Sequence, residues 1–183
     1  NYPDVFADLT DSGINFSDFA ESKVANSVRD GKNYGVPYDS NTVIACYRTD
    51  YLEKAGYTID DLTDITWDRF IEIGKDVLDK TGMPMLTNVQ GEPDLLNMIL
   101  QSAGISVFNE DGSIAIADNE GLKEAMNVYM ELINAGILQE QTDWSGYQGS
   151  INNGSVVGTI NGSWICATIK STDQAEQEGN WAV

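Results

Sequence analysis

The stretch GTINGSWICATIK at residues 158–170 constrains the fold of this chain more than any other. An apolar, β-branched run at 155–160 (SVVGTI) stops at Asn161 and Gly162 and resumes as a helical pattern led by Trp164. This reads as a buried strand, a tight turn and a helix start. Asn161 is expected at the N-cap and Gly162 at the turn, where a side chain would obstruct the backbone. Trp164 would then ride on the first turn of a helix at the carboxyl end of a strand, where open α/β sheets place their ligands. A lone tryptophan is more often a core residue than a ligand platform, so the rest of the chain must decide between the two.

Composition narrows the chemistry. With 29 acidic against 10 basic residues the formal charge is −19, a field that repels phosphate backbones and anionic lipid. Nucleic acid is therefore not an expected partner. The chain has no histidine, which removes Ser/His/Asp and Cys/His constellations, histidine-containing zinc sites and any imidazole base. Cys46 and Cys166 stand far apart in apolar contexts, VIACYR and SWICATI, and read as two buried free thiols rather than a bridge. No motif calls for a metal or a cofactor. No stretch approaches the roughly 20 consecutive apolar residues that cross a bilayer. A chain that begins at Asn1 without a basic, apolar leader reads as cut from something longer.

Along the chain, strand and helix patterns alternate. Residues 1–33 read as a lead-in, with a short helical pattern at Phe16, Phe19 and Ala20 and a turn at Asp30 and Gly31. Residues 34–38 (YGVPY) read as an extended crossover, and 42–47 as a central strand. A short helix runs from Asp50 to a stop at Gly56, and a longer one from a Thr66 cap to Gly82. A strand is expected at 83–87, a polar loop at 88–94, and a helix from Leu95 to a stop at Gly104. A hairpin turn at 109–112 follows, and its acidic residues do not match the calcium-loop spacing. The longest helix is expected from a cap at Asp118 or Asn119 to Gly136, then a polar loop with Asp143 and Trp144, then a short helix at 145–153. After Lys170 comes an exposed connector, 171–179, and the start of another strand at Trp181. This alternation predicts an α/β fold with a mixed to parallel sheet covered by helices on both faces.

Three loops that follow strands, at 91–97, 143–147 and 161–164, should open on one edge of the sheet. They carry carboxylates, an amide and two indoles. Apolar ring faces edged by carboxylate and amide oxygens suit a neutral polyhydroxylated ligand, whose C–H faces lie on the rings while its hydroxyls donate to the oxygens. Taken one at a time, Glu92 and Asp94 would be solvated loop residues and Trp144 a loop anchor.

Three segments carry a resemblance: YGVPYDSNTVIACYRTDYLEKAGY, then TWDRFIEIGKDV, then INNGSVVGTINGSW. In this order they resemble the extracellular solute-binding proteins of bacterial ABC importers, in particular the sugar-binding group that includes the maltodextrin-binding proteins. The resemblance covers nearly all of residues 30–183. It implies a periplasmic-binding-protein-like lobe: residues 1–33 from the side of the N-terminal lobe, 34–41 as the hinge crossover, and 42–183 as the C-terminal ligand-binding lobe of an incomplete protein. It also implies an extracytoplasmic protein, periplasmic or held as a lipoprotein, whose partners are a sugar or oligosaccharide, the permease subunits and the missing N-terminal lobe. The family's strand "TINGxW" implies a stacking role for Trp164, and counting back implies a second for Trp144. The family's acidic-aromatic loop corresponds to EPDLLN at 92–97. Glu92 and Pro93 match, whereas Asp94 and Asn97 stand where maltodextrin binders have aromatics, which exchanges stacking for hydrogen bonding and counts against a maltodextrin. Asp39 and Asn41, beside the crossover, would reach the cleft from the hinge side.

Two other readings compete with transport. A glycoside hydrolase would use Glu92 with Asp94 or Asp143 as acid and base, with one carboxyl in an apolar pocket. A surface interaction module would dock a partner on the acidic outer helices. The binding-protein reading needs no bond-breaking chemistry, only closure of two lobes on the ligand.

Overall fold

The structure is a computed structural model and describes residues 3–172 and 174–183. It divides into two compact units, Asn1–Thr42 and Val43–Val183.

In the first unit a two-residue hairpin joins β1 (Val28–Arg29) to β2 (Lys32–Asn33). Asp30 and Gly31 both take positive φ, 51° and 74°, the backbone that matches the twist of a tight hairpin. Asn33 is the buried hub: its Oδ1 accepts from Ser27 Oγ at 2.8 Å and from Gly35 N–H at 3.2 Å. Its own N–H donates to Thr10 Oγ1 at 3.1 Å. The expected helical pattern near Phe16 is a 3₁₀ turn, Phe16–Asp18, followed by the short helix α1 (Glu21–Ala25).

The second unit is built on a five-stranded sheet of order β5-β4-β6-β3-β7. These strands are β3 (Val43–Arg48), β4 (Leu86–Val89), β5 (Leu138–Gln141), β6 (Gly158–Gly162) and β7 (Trp181–Ala182). Strand β4 runs parallel to β5 and β6, whereas β3 is antiparallel to β6 and β7. The sheet is thus mixed, as expected, although β3 lies next to an edge rather than at the centre. Strand β5 falls where a polar loop is expected, and β4 starts at Leu86 and takes in Asn88 and Val89.

Period-two alternation splits the core between the two faces. Ala45, Tyr47, Leu86 and Ile160 pack with α2 (Thr49–Ala55), α3 (Trp67–Thr81), α4 (Asp94–Ser102) and α5 (Glu120–Asn134). Ile44, Cys46 and Val89 pack with α6 (Trp144–Asn152) and α7 (Ile165–Lys170) on the other side. Local chemistry sets the helix ends. Thr66 Oγ1 accepts from Arg69 N–H and Asn119 Oδ1 from Leu122 N–H. Gly56 and Gly82 close α2 and α3 in the left-handed region, at φ 89° and 72°. Between α4 and α5 the turn at 109–112 is held by a single antiparallel bridge, Phe108 to Ile114.

Two close contacts hold the middle of this unit. A Cβ on Gly158 would run into the Tyr47 ring and stand 2.6 Å from the Cys46 carbonyl oxygen, so β6 and β3 approach here only because position 158 has no side chain. At the far end of β3, Arg48 is 2% exposed and forks onto Asp50, with Nε at 2.8 Å and Nη2 at 2.9 Å from its oxygens. Its guanidinium also lies 4.7 Å from the centre of the Tyr51 ring.

Gly158→Ala is expected to lower unfolding stability by about 3 kcal/mol, since the clash is with backbone and a packed ring. Asp50→Ala leaves a buried guanidinium without its counter-ion and is expected to cost about 3–5 kcal/mol. Urea unfolding, read as a shift of midpoint at constant slope, checks both.

Candidate functional site

Because β4, β5 and β6 are parallel, their carboxyl ends share one edge of the sheet, and β3 begins there too, with Val43 opposite Gly162. Each of the three parallel strands feeds a short loop and then a helix at that edge. The segment after β4 carries Glu92 and Asp94 into α4, the segment after β5 carries Asp143 and Trp144 into α6, and β6 leads to Trp164 at the head of α7. Asn88, Glu92, Asp94, Asp143, Trp144 and Asn161 are among the residues that line a cavity of about 380 Å³ at this rim. Among the described residues no His, Cys, Asp or Glu cluster is arranged to hold a metal ion.

The aromatic side of the rim is a stack of three rings. Trp144 lies 4.9 Å from Tyr147 at an interplanar angle of 23°, and 5.4 Å from Trp164 at 49°. Both indoles remain partly open, Trp144 45% and Trp164 40% exposed. Tyr147 is the fixed member. Its hydroxyl pairs with Thr159 Oγ1 at 2.6 Å and accepts from Asn161 Nδ2 at 2.9 Å. Burial pushes the Tyr147 phenol above its ordinary value, only partly offset by the Thr159 and Asn161 hydrogen bonds, so the group stays protonated at working pH.

Asn161 is not the N-cap expected from the sequence. It is the fourth residue of β6; its Nδ2 reaches Tyr147 and its Oδ1 accepts from Gly162 N–H at 2.8 Å. The N-cap of α7 is Trp164 itself, one position outside the helix, with no side-chain cap bond. Gly162 is needed for a different reason from a turn. A Cβ there would stand 2.6 Å from Trp164 Nε1 and 2.7 Å from its Cδ1, so the indole folds back over bare backbone.

The polar side of the rim comes from loops and helix starts. Asp143 caps α6, its Oδ1 accepting from Gly146 N–H at 2.8 Å, which makes that carboxylate a structural group as well as a rim group. Glu92 and Asp94 are exposed, Asp94 on the first turn of α4. Asn97 is exposed one turn further along α4 and is not part of the cavity lining. Asp39 and Asn41 belong to the first unit, where Asn41 Nδ2 donates to Asp39 Oδ2 at 2.6 Å. Sequence reasoning missed Asn88, Gln90 and Thr142 as lining residues, and had Tyr147 and Asn161 in loops expected at this edge without giving either a role in the site. Asn88 is buried, and its Nδ2 donates to Tyr129 Oη at 3.2 Å, which in turn donates to Glu140 Oε1 at 3.0 Å. This chain of hydrogen bonds orients the Asn88 amide from behind.

Two substitutions test how the platform is held. Tyr147→Phe leaves Thr159 and Asn161 without their shared partner and is expected to destabilise the protein by about 1–3 kcal/mol. Gly162→Ala is expected to displace the Trp164 ring, visible as a shifted tryptophan emission spectrum with the far-ultraviolet circular dichroism unchanged. An unaltered emission would refute the steric account.

Residues 1–183 match the family described as bacterial extracellular solute-binding protein. The chain is 40% identical over 183 residues to the lactose-binding protein of Rhizobium radiobacter, covering 100% of this chain and 43% of that protein. It is 28% identical over 117 residues to the arabinooligosaccharide-binding protein of Bacillus subtilis, covering 63% of this chain and 26% of that protein. The chain therefore spans less than half the length of the curated relatives it matches. Among solved structures, the GacH receptor of Streptomyces glaucescens, studied with acarbose, superposes with a TM-score of 0.82 at 20% identity, over 99% of this chain and 47% of that one. The galacto-N-biose-/lacto-N-biose I-binding protein of Bifidobacterium longum gives 0.75 at 23% identity, over 98% and 46%. Matched from its first residue to its last, the chain belongs to the bacterial extracellular solute-binding proteins and has the periplasmic-binding-protein-like α/β fold.

Proposed function

We propose that this chain is the ligand-holding part of a substrate-binding protein that captures a sugar or oligosaccharide outside the cytoplasm and delivers it to an ABC permease. One observation carries the reading: two partly exposed indoles stand side by side at the carboxyl edge of the sheet, and one of them, Trp144, lines a small cavity together with carboxylate and amide groups, while Trp164 leans on it from outside that lining. Trp164 and Trp144 offer the sugar's C–H faces an apolar surface, and Glu92 and Asp94, with Asn88 and Asn161 beside them, accept or donate to its hydroxyls. Asn97, Asp39 and Asn41 complete the grip when a second lobe closes. Ligand bound to one lobe makes its remaining contacts only in the closed form, so it shifts the open–closed equilibrium by its differential affinity. In this reading residues 1–33 come from the side of the other lobe, 34–41 are the crossover, and the permease recognises the closed form. A lipid anchor or the periplasm would hold the protein near its permease.

The ligand we favour is a galactoside of the lactose type. Support comes from the 40% identical lactose-binding relative and from Asp94 and Asn97 standing where stacking aromatics would suit a maltodextrin. A glycoside hydrolase would need one carboxyl in apolar surroundings, where its acid form is favoured. Glu92, Asp94 and Asp143 are all exposed, which does not favour that reading.

On the two-lobed protein, calorimetry is expected to give tight binding of lactose or a related galactoside and much weaker binding of maltose. Trp164→Ala and Trp144→Ala are each expected to weaken that binding roughly 10- to 100-fold, a loss of about 1.4–2.7 kcal/mol. Affinity unchanged in both variants would overturn the reading, and reducing ends released from oligosaccharides would replace it with hydrolysis. Residues 1–183 alone are expected to bind the same sugar weakly, since they make only part of the contacts.

A further inference from the structure

Cys46 and Cys166 take no part in the rim, yet the fold brings them together. Cys46 is buried on the face of β3 that packs against α6 and α7, in one cluster with Ile165 and Ile169. Cys166 stands three residues before Ile169 in α7, so the two side chains share a face of that helix. Cys166 is close enough to act on the Cys46 thiol, and after burial it is the next cause that pushes that thiol up. Both also line a cavity of about 710 Å³, beside Ile169, Gln177 and Trp181. Each is a free thiol in this structure, Cys46 buried and Cys166 half-buried.

We propose that Cys46 and Cys166 are a redox-convertible pair that closes to a disulfide outside the cytoplasm and ties α7, the helix behind Trp164, to strand β3. Members of this family are extracellular, and disulfides persist in oxidising compartments. The oxidant is an external disulfide, either of low molecular mass or of a thiol–disulfide oxidoreductase. The Cys166 thiolate attacks one of its sulfurs, forms a mixed disulfide and expels one external thiolate, which takes up a proton. Cys46 then gives up its proton and attacks Cys166 Sγ. The Cys46–Cys166 bond forms, the mixed disulfide breaks, and a second external thiol leaves. Two thiol protons and two electrons pass from the protein to the external disulfide, which ends as two thiols. Burial, reinforced by the neighbouring Cys166, pushes the Cys46 thiol up to about 12, which assigns the first attack to Cys166 and the slower second step to Cys46.

The test equilibrates the chain with excess oxidised glutathione, then denatures it, alkylates it with iodoacetamide and measures its mass without reduction. The expected result is no alkylated cysteine, no retained glutathione, and a proteolytic peptide pair joined through Cys46 and Cys166. The oxidised form is expected to melt about 5–15 °C above the dithiothreitol-reduced form, since the bond closes a long loop. Cys166→Ser is expected to leave Cys46 open to alkylation and to abolish the difference in melting temperature. Two alkylated cysteines after oxidation would overturn the proposal. So would glutathione held stably on Cys166 while Cys46 remains free.

Discussion

The antiparallel seam between β3 and β6 is the constraint on which both the sheet and the rim depend. At one end, bare Gly158 admits the Tyr47 ring, and at the other, Val43 faces Gly162 and Ile44 faces Asn161. The register that seats Tyr47 in the large core therefore also sets the level at which Asn161 and Trp164 leave the sheet. A slip of one residue would turn Thr159 and Asn161 to the opposite face and take both away from the Tyr147 hydroxyl. Packing deep in the unit and geometry at its edge are thus one problem, solved by a glycine.

Tyr147 links those two levels. Its ring is buried under Trp144 while its hydroxyl is bound by two residues of β6, so α6 is pinned to the strand that leads into Trp164. The aromatic platform consequently owes its rigidity to polar groups that lie beneath it. Much the same holds for Asn88, whose amide is set through Tyr129 by Glu140 on the neighbouring strand. In both cases a residue from a different element, distant in sequence, orients a group that lines the cavity.

The alternation of strand and helix patterns was readable because its signals are local: apolar runs, a Thr66 cap, and glycines at helix ends. The motif at 158–170 placed Trp164 at a strand's end without deciding between core and surface, and the structure leaves it partly exposed with Trp144 beside it. What could not be read has a physical reason in each case. Strand β5 is LQEQ, polar because it lies at the edge of the sheet, and it carries no apolar alternation. Asn161 has the chemistry of a cap, and its side chain does bond its neighbour's N–H, but Tyr147 claims it for the strand. Nothing near Cys46 or Cys166 in sequence signals the other, since they come to line one cavity only through a helix packed on the face of the sheet.

The ring stack has one more consequence. Trp144 lies between Tyr147 and Trp164, so replacing any one ring removes a neighbour that the other two lean on, and substitutions there would not act independently. Glu92 and Asp94, by contrast, sit in the open on a loop and a first helical turn. Change at those acidic positions would therefore leave the packing of the rings untouched, whereas change at any one ring would be felt by the other two.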